Sequence, residues 1–385
     1  MTRILFPFVG DTVGGSHISA LTLARNLPSG EFEAVVGVHV EGTLTEHLKR
    51  AGVSYIELPA VTLAKAEPLL PQLCKMITAA AKLGPFLRSQ KIDIVHTNDA
   101  RMHLTWLCAT KISRRKMVWH QRNPVSSRRT AFYTRAAAVV LTISEHCKSS
   151  FPSVMKKRTI KIDNPVDSVW STTDDTQTST VECRRMLGLS DQKKAVCWVA
   201  NWMDRKRPRV FVEMARHVLD RAKLPIVFAM FGEPREPDRT EILELIAELD
   251  LENHLLVMGM RTPIEPWIAA CDVLVATAVN EGLGRTLVEA MAVRTPVVAA
   301  ADGGHLEVLQ DGVTGLLVPP DDAAAFADAV IELLDSPELS EHLARNAYTA
   351  AKERYSVENH VSEMTQVYRS LHSTRGLRCP NYTKQ

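Results

Sequence analysis

The sequence predicts an α/β protein built from two doubly wound domains, and three observations carry that prediction. Its 385 residues exceed one domain at ~150 residues each. Short β-branched runs alternate with helix-period stretches, the signature of βαβ units and a parallel sheet. The alternation breaks at a Ser-, Thr- and Asp-rich segment, 168–181, and then restarts. Composition agrees: 45% hydrophobic and 23% charged residues exclude a disordered, collagen-like or low-complexity chain.

Taken in order, the strand runs of the first half are 3–9, 34–40, 53–58, 92–96, 117–120, 139–143 and 159–162. Each is short and rich in Val, Ile, Leu or Phe, as buried strands are. Between them 16–26 and 69–89 repeat apolar residues at helical spacing. The second series runs 195–200, 225–231, 255–259, 273–277, 296–300 and 316–318. The division this gives is a first domain 1–167, a linker 168–190, a second domain 191–355 and a helical tail 356–385, patterned to about His372. Two such domains are expected to face each other across a cleft, with ligand at the carboxyl ends of the strands.

No apolar run approaches the ~18 residues of a spanning helix, and the first residues lack a signal-peptide pattern. The seven cysteines are odd in number, without Cys-x-x-Cys spacing, and read as reduced core thiols of a cytoplasmic protein. No Cys or His cluster has zinc-ligand spacing.

Charge is uneven. Residues 1–167 hold 23 Lys and Arg against 12 Asp and Glu, whereas the remainder holds 23 against 32. Within 101–161 there are 14 basic residues and one acid, Glu145. Such a stretch attracts phosphate-rich partners: an anionic membrane surface, a phosphorylated acceptor or nucleic acid. No aromatic-interleaved motif accompanies it, so nucleic acid is not expected.

The most informative chemistry lies at 280–292. Here Asn280-Glu281-Gly282-Leu283-Gly284-Arg285-Thr286 runs from a strand into the helix-compatible Leu287-Val288-Glu289-Ala290-Met291-Ala292. Glycines let the backbone approach a ligand closely, and a helix N-terminus suits phosphate. Glu281 in the loop and Glu289 on the helix each suit a vicinal diol of a sugar or ribose. Taken alone, they also look like a solvated loop acid and a first-turn helix acid.

Glu281 and Glu289, with seven residues between them, together with Ala290-Met291-Ala292, Pro296-Val297-Val298, Gly303-Gly304, Glu307, Asp311-Gly312 and Gly315-Leu316-Leu317-Val318-Pro319, resemble the glutamate-pair signature of retaining GT-B glycosyltransferases. The resemblance is to glycosyltransferase family 4, the group 1 enzymes. It implies two Rossmann-like domains of GT-B type, with acceptor binding in the first and nucleotide-sugar binding in the second. It implies that Arg205 and Lys206 bind the donor diphosphate, and that Gly14-Gly15-Ser16 forms the first domain's glycine loop, closing on donor phosphates. It places His120 at the catalytic centre and assigns Gly282, Leu283, Gly284, Arg285 and Thr286 to the donor site. Asn164-Pro165-Val166-Asp167 is similar to an Asn-Gly-Val-Asp element, and the family's C-terminal helix usually returns to the first domain. The chain departs from the pattern at Pro165, Arg207, Arg294 and Ala278-Val279.

No Asp-x-Asp pair occurs, so no metal is expected. The charge of the leaving diphosphate is expected to fall to Arg205, Lys206 and the N–H groups of the 282–286 helix start. The expected reaction is transfer, with retention, from a nucleotide-diphosphate sugar to a glycan or lipid-linked acceptor. It suits surface polysaccharide or glycolipid assembly, with the protein peripheral on the inner face of the membrane. Glu289 would hold ribose hydroxyls, Glu281 the sugar, and His120 the sugar or acceptor. The rival readings are a non-catalytic nucleotide-sugar-binding protein and a nucleotide-sugar epimerase of the same fold.

Overall fold

The computed structural model describes residues 1–125, 127–166, 174–190, 192–234 and 236–372. Two compact units emerge, Met1–Pro165 with Val357–Gln385, and Val166–Ser356.

The first unit is a parallel sheet of seven strands: β1 (Thr2–Phe8), β2 (Phe32–Val38), β3 (Ile56–Glu57), β4 (Ile94–Thr97), β5 (Lys116–Gln121), β6 (Val139–Thr142) and β7 (Thr159–Lys161). Their order is β3-β2-β1-β4-β5-β6-β7. Side chains alternate across a strand, so successive residues feed opposite cores. Ile4, Phe6 and Phe8 join Val36, Ile94, Val118 and Leu141 on one face. Leu5 and Val9 join Val35 and Val95 on the other. The helix Gly15–Asn26 covers the first face and Leu69–Ser89 and Ala100–Ile112 cover the second. The last helix, Val357–His372, belongs to the first face, burying Met364, Val367, Tyr368 and Leu371.

The second unit has six parallel strands: β8 (Lys194–Val199), β9 (Ile226–Phe231), β10 (Leu255–Gly259), β11 (Val273–Ala276), β12 (Val297–Ala300) and β13 (Leu316–Val318). Their order is β10-β9-β8-β11-β12-β13. A sheet wound outward in both directions opens a crevice where the winding reverses, at the carboxyl ends of the two central strands. That point lies between β1 and β4 in the first unit and between β8 and β11 in the second. The loops of the sequence motifs follow these strands.

The stretch 168–190, read as a linker, contains the helix Asp174–Met186; residues 167–173 lie outside the described ones. Its polar composition hides it: among the described residues only Cys183 and Leu187 are buried, and Arg184 donates to the Ala270 carbonyl at 2.9 Å. Cys147, Cys183, Cys197 and Cys271 are buried free thiols, but Cys74 is exposed; Cys379 lies outside the described residues. Among the described residues no helix is long and apolar enough to cross a membrane.

Met364 is fully buried between the last helix and the sheet. Its replacement by Ala removes that contact and leaves a cavity, so M364A is expected to cost about 2–4 kcal/mol. Urea unfolding followed by the circular dichroism of the full chain measures it; a cost near zero would place the helix off the core.

Candidate functional site

Chain direction sets the second unit's site. After β8 the backbone makes one tight turn, Asp204–Lys206, before the helix Pro208–Arg221 begins. Arg207 joins them with φ +52° and ψ +49°, the left-handed conformation that favours glycine. This is why glycine suits the position. Arg207 holds it through its guanidinium, 2.6 Å from Asp204 Oδ1 and 2.8 Å from Asp321 Oδ1. Arg294, the other cationic departure, also has positive φ, +60°, and lies over the Tyr348 ring at 4.4 Å.

After β11 comes Thr277. Its hydroxyl accepts from Trp198 Nε1 at 2.9 Å and donates to the Lys206 carbonyl at 2.8 Å. The Val279 N–H donates to the Arg205 carbonyl at 3.0 Å. These bonds clamp the 204–207 turn to the 277–284 loop. Glu281 is then placed so that one carboxylate oxygen accepts from both Arg205 Nη1 and Lys206 Nζ. Burial pushes the Glu281 carboxyl up, but the Lys206 and Arg205 charges outweigh it and hold it below the usual carboxylate range.

A third segment supports the loop. The Gly304 N–H donates to the Glu281 carbonyl at 2.9 Å. A Cβ on Gly304 would stand 2.5 Å from Leu283 Cα, and one on Gly284 would stand 2.7 Å from His305 Cδ2. Gly284, at φ +89°, caps the helix Arg285–Ala292. Glu289 lies buried on that helix and accepts from Arg285 Nε at 2.6 Å. Burial raises its carboxyl above the usual range, opposed by Arg285. Thr286 lines a cavity of about 360 Å³ together with Val199, Asn201, Arg205, Lys206 and Arg261. That volume is within the range of small-molecule sites.

The structure therefore brings Arg205, Lys206 and Glu281 into contact, with Arg285 and Glu289 paired on the adjoining helix. Sequence reasoning missed Thr277, Arg261 and His305. His305 is buried under Gly284 with Nδ1 3.1 Å from the Ala300 carbonyl. The neighbouring Gly303-Gly304 was its only signal.

In the first unit Gly14 caps the first helix and Gly15 begins it, and both are exposed. Gly14 is extended, at φ −155°, so the backbone does not require glycine there. Gly10 does require it: at φ +115° a Cβ would stand 1.8 Å from the Val40 carbonyl oxygen. His120, on β5, is fully buried in a polar cluster. Its Nδ1 lies 3.1 Å from His96 Nε2, and His96 Nδ1 lies 2.5 Å from the Tyr368 hydroxyl. Arg122 is buried beside them, donating to Asn98 Oδ1 at 2.7 Å and to Asn164. Burial, then the Arg122 charge, pushes His96 and His120 well below the ordinary imidazole range. The same causes hold His103 and His360 at about 3. Among the described residues no group of three or more His, Cys, Asp or Glu side chains is placed to hold a metal ion.

Residues 181–350 match the family model described as Glycosyl transferases group 1. The chain is 30% identical over 199 residues to alpha-D-kanosaminyltransferase of Streptomyces kanamyceticus, covering 51% of this chain and 50% of that protein. It is 32% identical over 221 residues to D-inositol 3-phosphate glycosyltransferase of Corynebacterium urealyticum, covering 56% and 52%. The chain thus spans about half the length of these curated relatives. It also superposes on Anabaena HepE in complex with UDP and glucose, with TM-score 0.81 at 22% identity over 96% of this chain and 100% of that one. At that identity the likeness is one of fold, and the fold is GT-B: two parallel-sheet Rossmann-like domains.

The four buried histidines set an acid limit on the first unit. The unfolded chain takes up protons below the ordinary imidazole value of 6.5, whereas folded His103 and His360 refuse them until about 3. Stability therefore falls as pH drops from 6.5 toward 3, each group adding about 1.4 kcal/mol per pH unit. Urea midpoints at pH 7 and pH 5 test this; equal midpoints would contradict it.

Proposed function

We propose that the protein is a retaining, metal-independent glycosyltransferase that moves a sugar from a nucleotide diphosphate to a hydroxyl of a glycan or lipid-linked acceptor. The observation that carries this reading is the pair of cations, Arg205 and Lys206, fixed on one buried carboxylate at the switch point of the second sheet. Two cations beside a cavity sized for a small ligand, with a helix N-terminus adjoining, suit a diphosphate leaving group. The match of residues 181–350 to the group 1 glycosyltransferases supports the same assignment.

An entering diphosphate competes with Glu281 for Arg205 and Lys206. Glu281, so released, turns to the sugar hydroxyls and favours positive charge near the ring. The anomeric C–O bond breaks with its electron pair passing to the phosphate oxygen. The acceptor oxygen bonds to the same face of the anomeric carbon, and its proton passes to the departing phosphate oxygen. Glu289 binds the ribose hydroxyls, and Thr286 and Gly282–Gly284 line the phosphate path. The acceptor side falls to the first unit, whose basic stretch 101–161 carries exposed Phe132 and Val154. An acceptor held at an anionic membrane surface fits that pairing of charge and apolar side chains.

UDP-glucose is the first donor to test, because the fold neighbour HepE binds UDP and glucose. A thermal-shift screen of nucleotide-sugars should show ligand-dependent stabilisation. Glu289→Ala, which loses two ribose hydrogen bonds to a charged group, should raise donor KM by roughly 10–100-fold; unchanged donor affinity would contradict the assignment. Formation of a free epimer without acceptor would identify an epimerase instead.

Co-sedimentation tests the acceptor side. The protein should pellet with vesicles containing anionic lipid at low salt and lose that binding at about 0.5 M salt, where the Debye length falls to a few ångströms. Equal binding to neutral vesicles would reject the electrostatic part.

A further inference from the structure

At the edge of the second sheet opposite the donor loops lies another cavity, of about 570 Å³. Parallel strands present their amino ends to one edge of a sheet. Lys194 begins β8, Asp272 immediately precedes β11 and Pro296 immediately precedes β12, and all three line this cavity. These three strands are neighbours in the sheet. Leu333 and Leu334, buried near the end of the helix Ala323–Asp335, and Ala344, buried on the helix Pro337–Tyr355, add apolar wall. The volume is within the range of small-molecule sites, and every lining residue belongs to the second unit.

The charged side chains that line it are Lys194, Arg294 and Arg345 against Asp272 and Glu341. Lys194 Nζ is 2.9 Å from Asp272 Oδ1, and Asp272 Oδ2 accepts from the Ala195 N–H at 2.8 Å. That carboxylate is bonded through both oxygens and its charge is matched. Arg345 Nη2 lies 3.5 Å from Glu341 Oε1, and both side chains are exposed, so the pair contributes little. Among the described residues Arg294 has no carboxylate partner; its guanidinium lies over the Tyr348 ring at 4.4 Å. Arg345 stands three residues before Tyr348 on the same helix, which makes their side chains neighbours. Arg294 also has φ +60°, where glycine is favoured, so the turn itself gives no reason for an arginine.

We propose that this cavity is a second ligand site, for a small organic phosphate whose head pairs with Arg294 and Arg345 and whose body covers Leu333, Leu334 and Pro296. A phosphate monoester carries roughly two negative charges at neutral pH, the charge of two guanidiniums, whereas a carboxylate matches one. Arginine gives a phosphate two parallel N–H bonds. Drawing Arg345 away from Glu341 costs little, because that pair is exposed. Glu341 is then the lining acid that opposes the ligand. The site lies at the amino ends of the strands, whereas the donor loops follow their carboxyl ends, and the inference does not depend on the transfer reaction.

The test is calorimetric titration of the full chain with phenyl phosphate, which joins a phosphate head to an apolar body. It should bind with Kd below about 1 mM, and inorganic phosphate about tenfold more weakly, because it lacks the body. Arg294→Gly should weaken phenyl phosphate about tenfold or more, the loss of one charge-assisted contact. Glycine takes the left-handed backbone without strain, so this variant should keep or raise Tm. Glu341→Gln should do the reverse and tighten binding about two- to fivefold, since it removes the competing carboxylate. That opposite sign separates the proposal from a general loss of structure, and it decides the matter even if Arg294→Gly fails to fold. No binding at about 10 mM phenyl phosphate, an Arg294→Gly protein that binds as the wild type does, or weaker binding in Glu341→Gln would overturn the proposal.

Discussion

A carboxylate removed from water needs opposite charge, and Glu281 takes it from two cations at once. This pairing depends on three separate segments meeting at one point. The turn after β8 supplies Arg205 and Lys206, the loop after β11 supplies Glu281, and Gly303-Gly304 lie close enough to hold that loop from behind.

The topology explains why this happens where it does. In the second unit β8 and β11 are sheet neighbours although two strands intervene in sequence. Reversal of winding leaves their carboxyl ends uncovered, so the loops there meet each other and not a crossover helix. Thr277 converts that proximity into a clamp by bonding the backbone of the facing turn. In the first unit β1 and β4 are placed in the same way. There the polar groups are directed inward, and His96, His120 and Arg122 form a buried cluster closed by the last helix.

Buried polar clusters are expensive unless every member is bonded. The first unit meets most of that demand with specific partners: Asn98 and Asn164 for Arg122, Tyr368 for His96, the Asp163 carbonyl for His360. Asn164 therefore has a structural duty, which accounts for its place in the sequence element that ends the first unit. Among the described residues, the Nε2 atoms of His120 and His360 are buried without a hydrogen-bond partner.

The amino-acid sequence by itself determined the strands. Central parallel strands are buried on both faces and read as short continuous apolar runs, and each of the thirteen runs named from the sequence, from 3–9 to 316–318, overlaps a strand. It also singled out Glu281 and Glu289, on a glycine-bearing loop and the helix-compatible run after it, whereas Arg205 and Lys206 entered only through the resemblance to the group 1 glycosyltransferases. It did not show the helix Asp174–Met186, whose polar sequence has no apolar period. Only the tertiary structure decided that Glu281 is held by Arg205 and Lys206, that His305 lies under Gly284, and that Tyr368 reaches His96. Such contacts depend on sheet order and on which face each helix covers, and these are properties of packing between distant segments, invisible to local spacing.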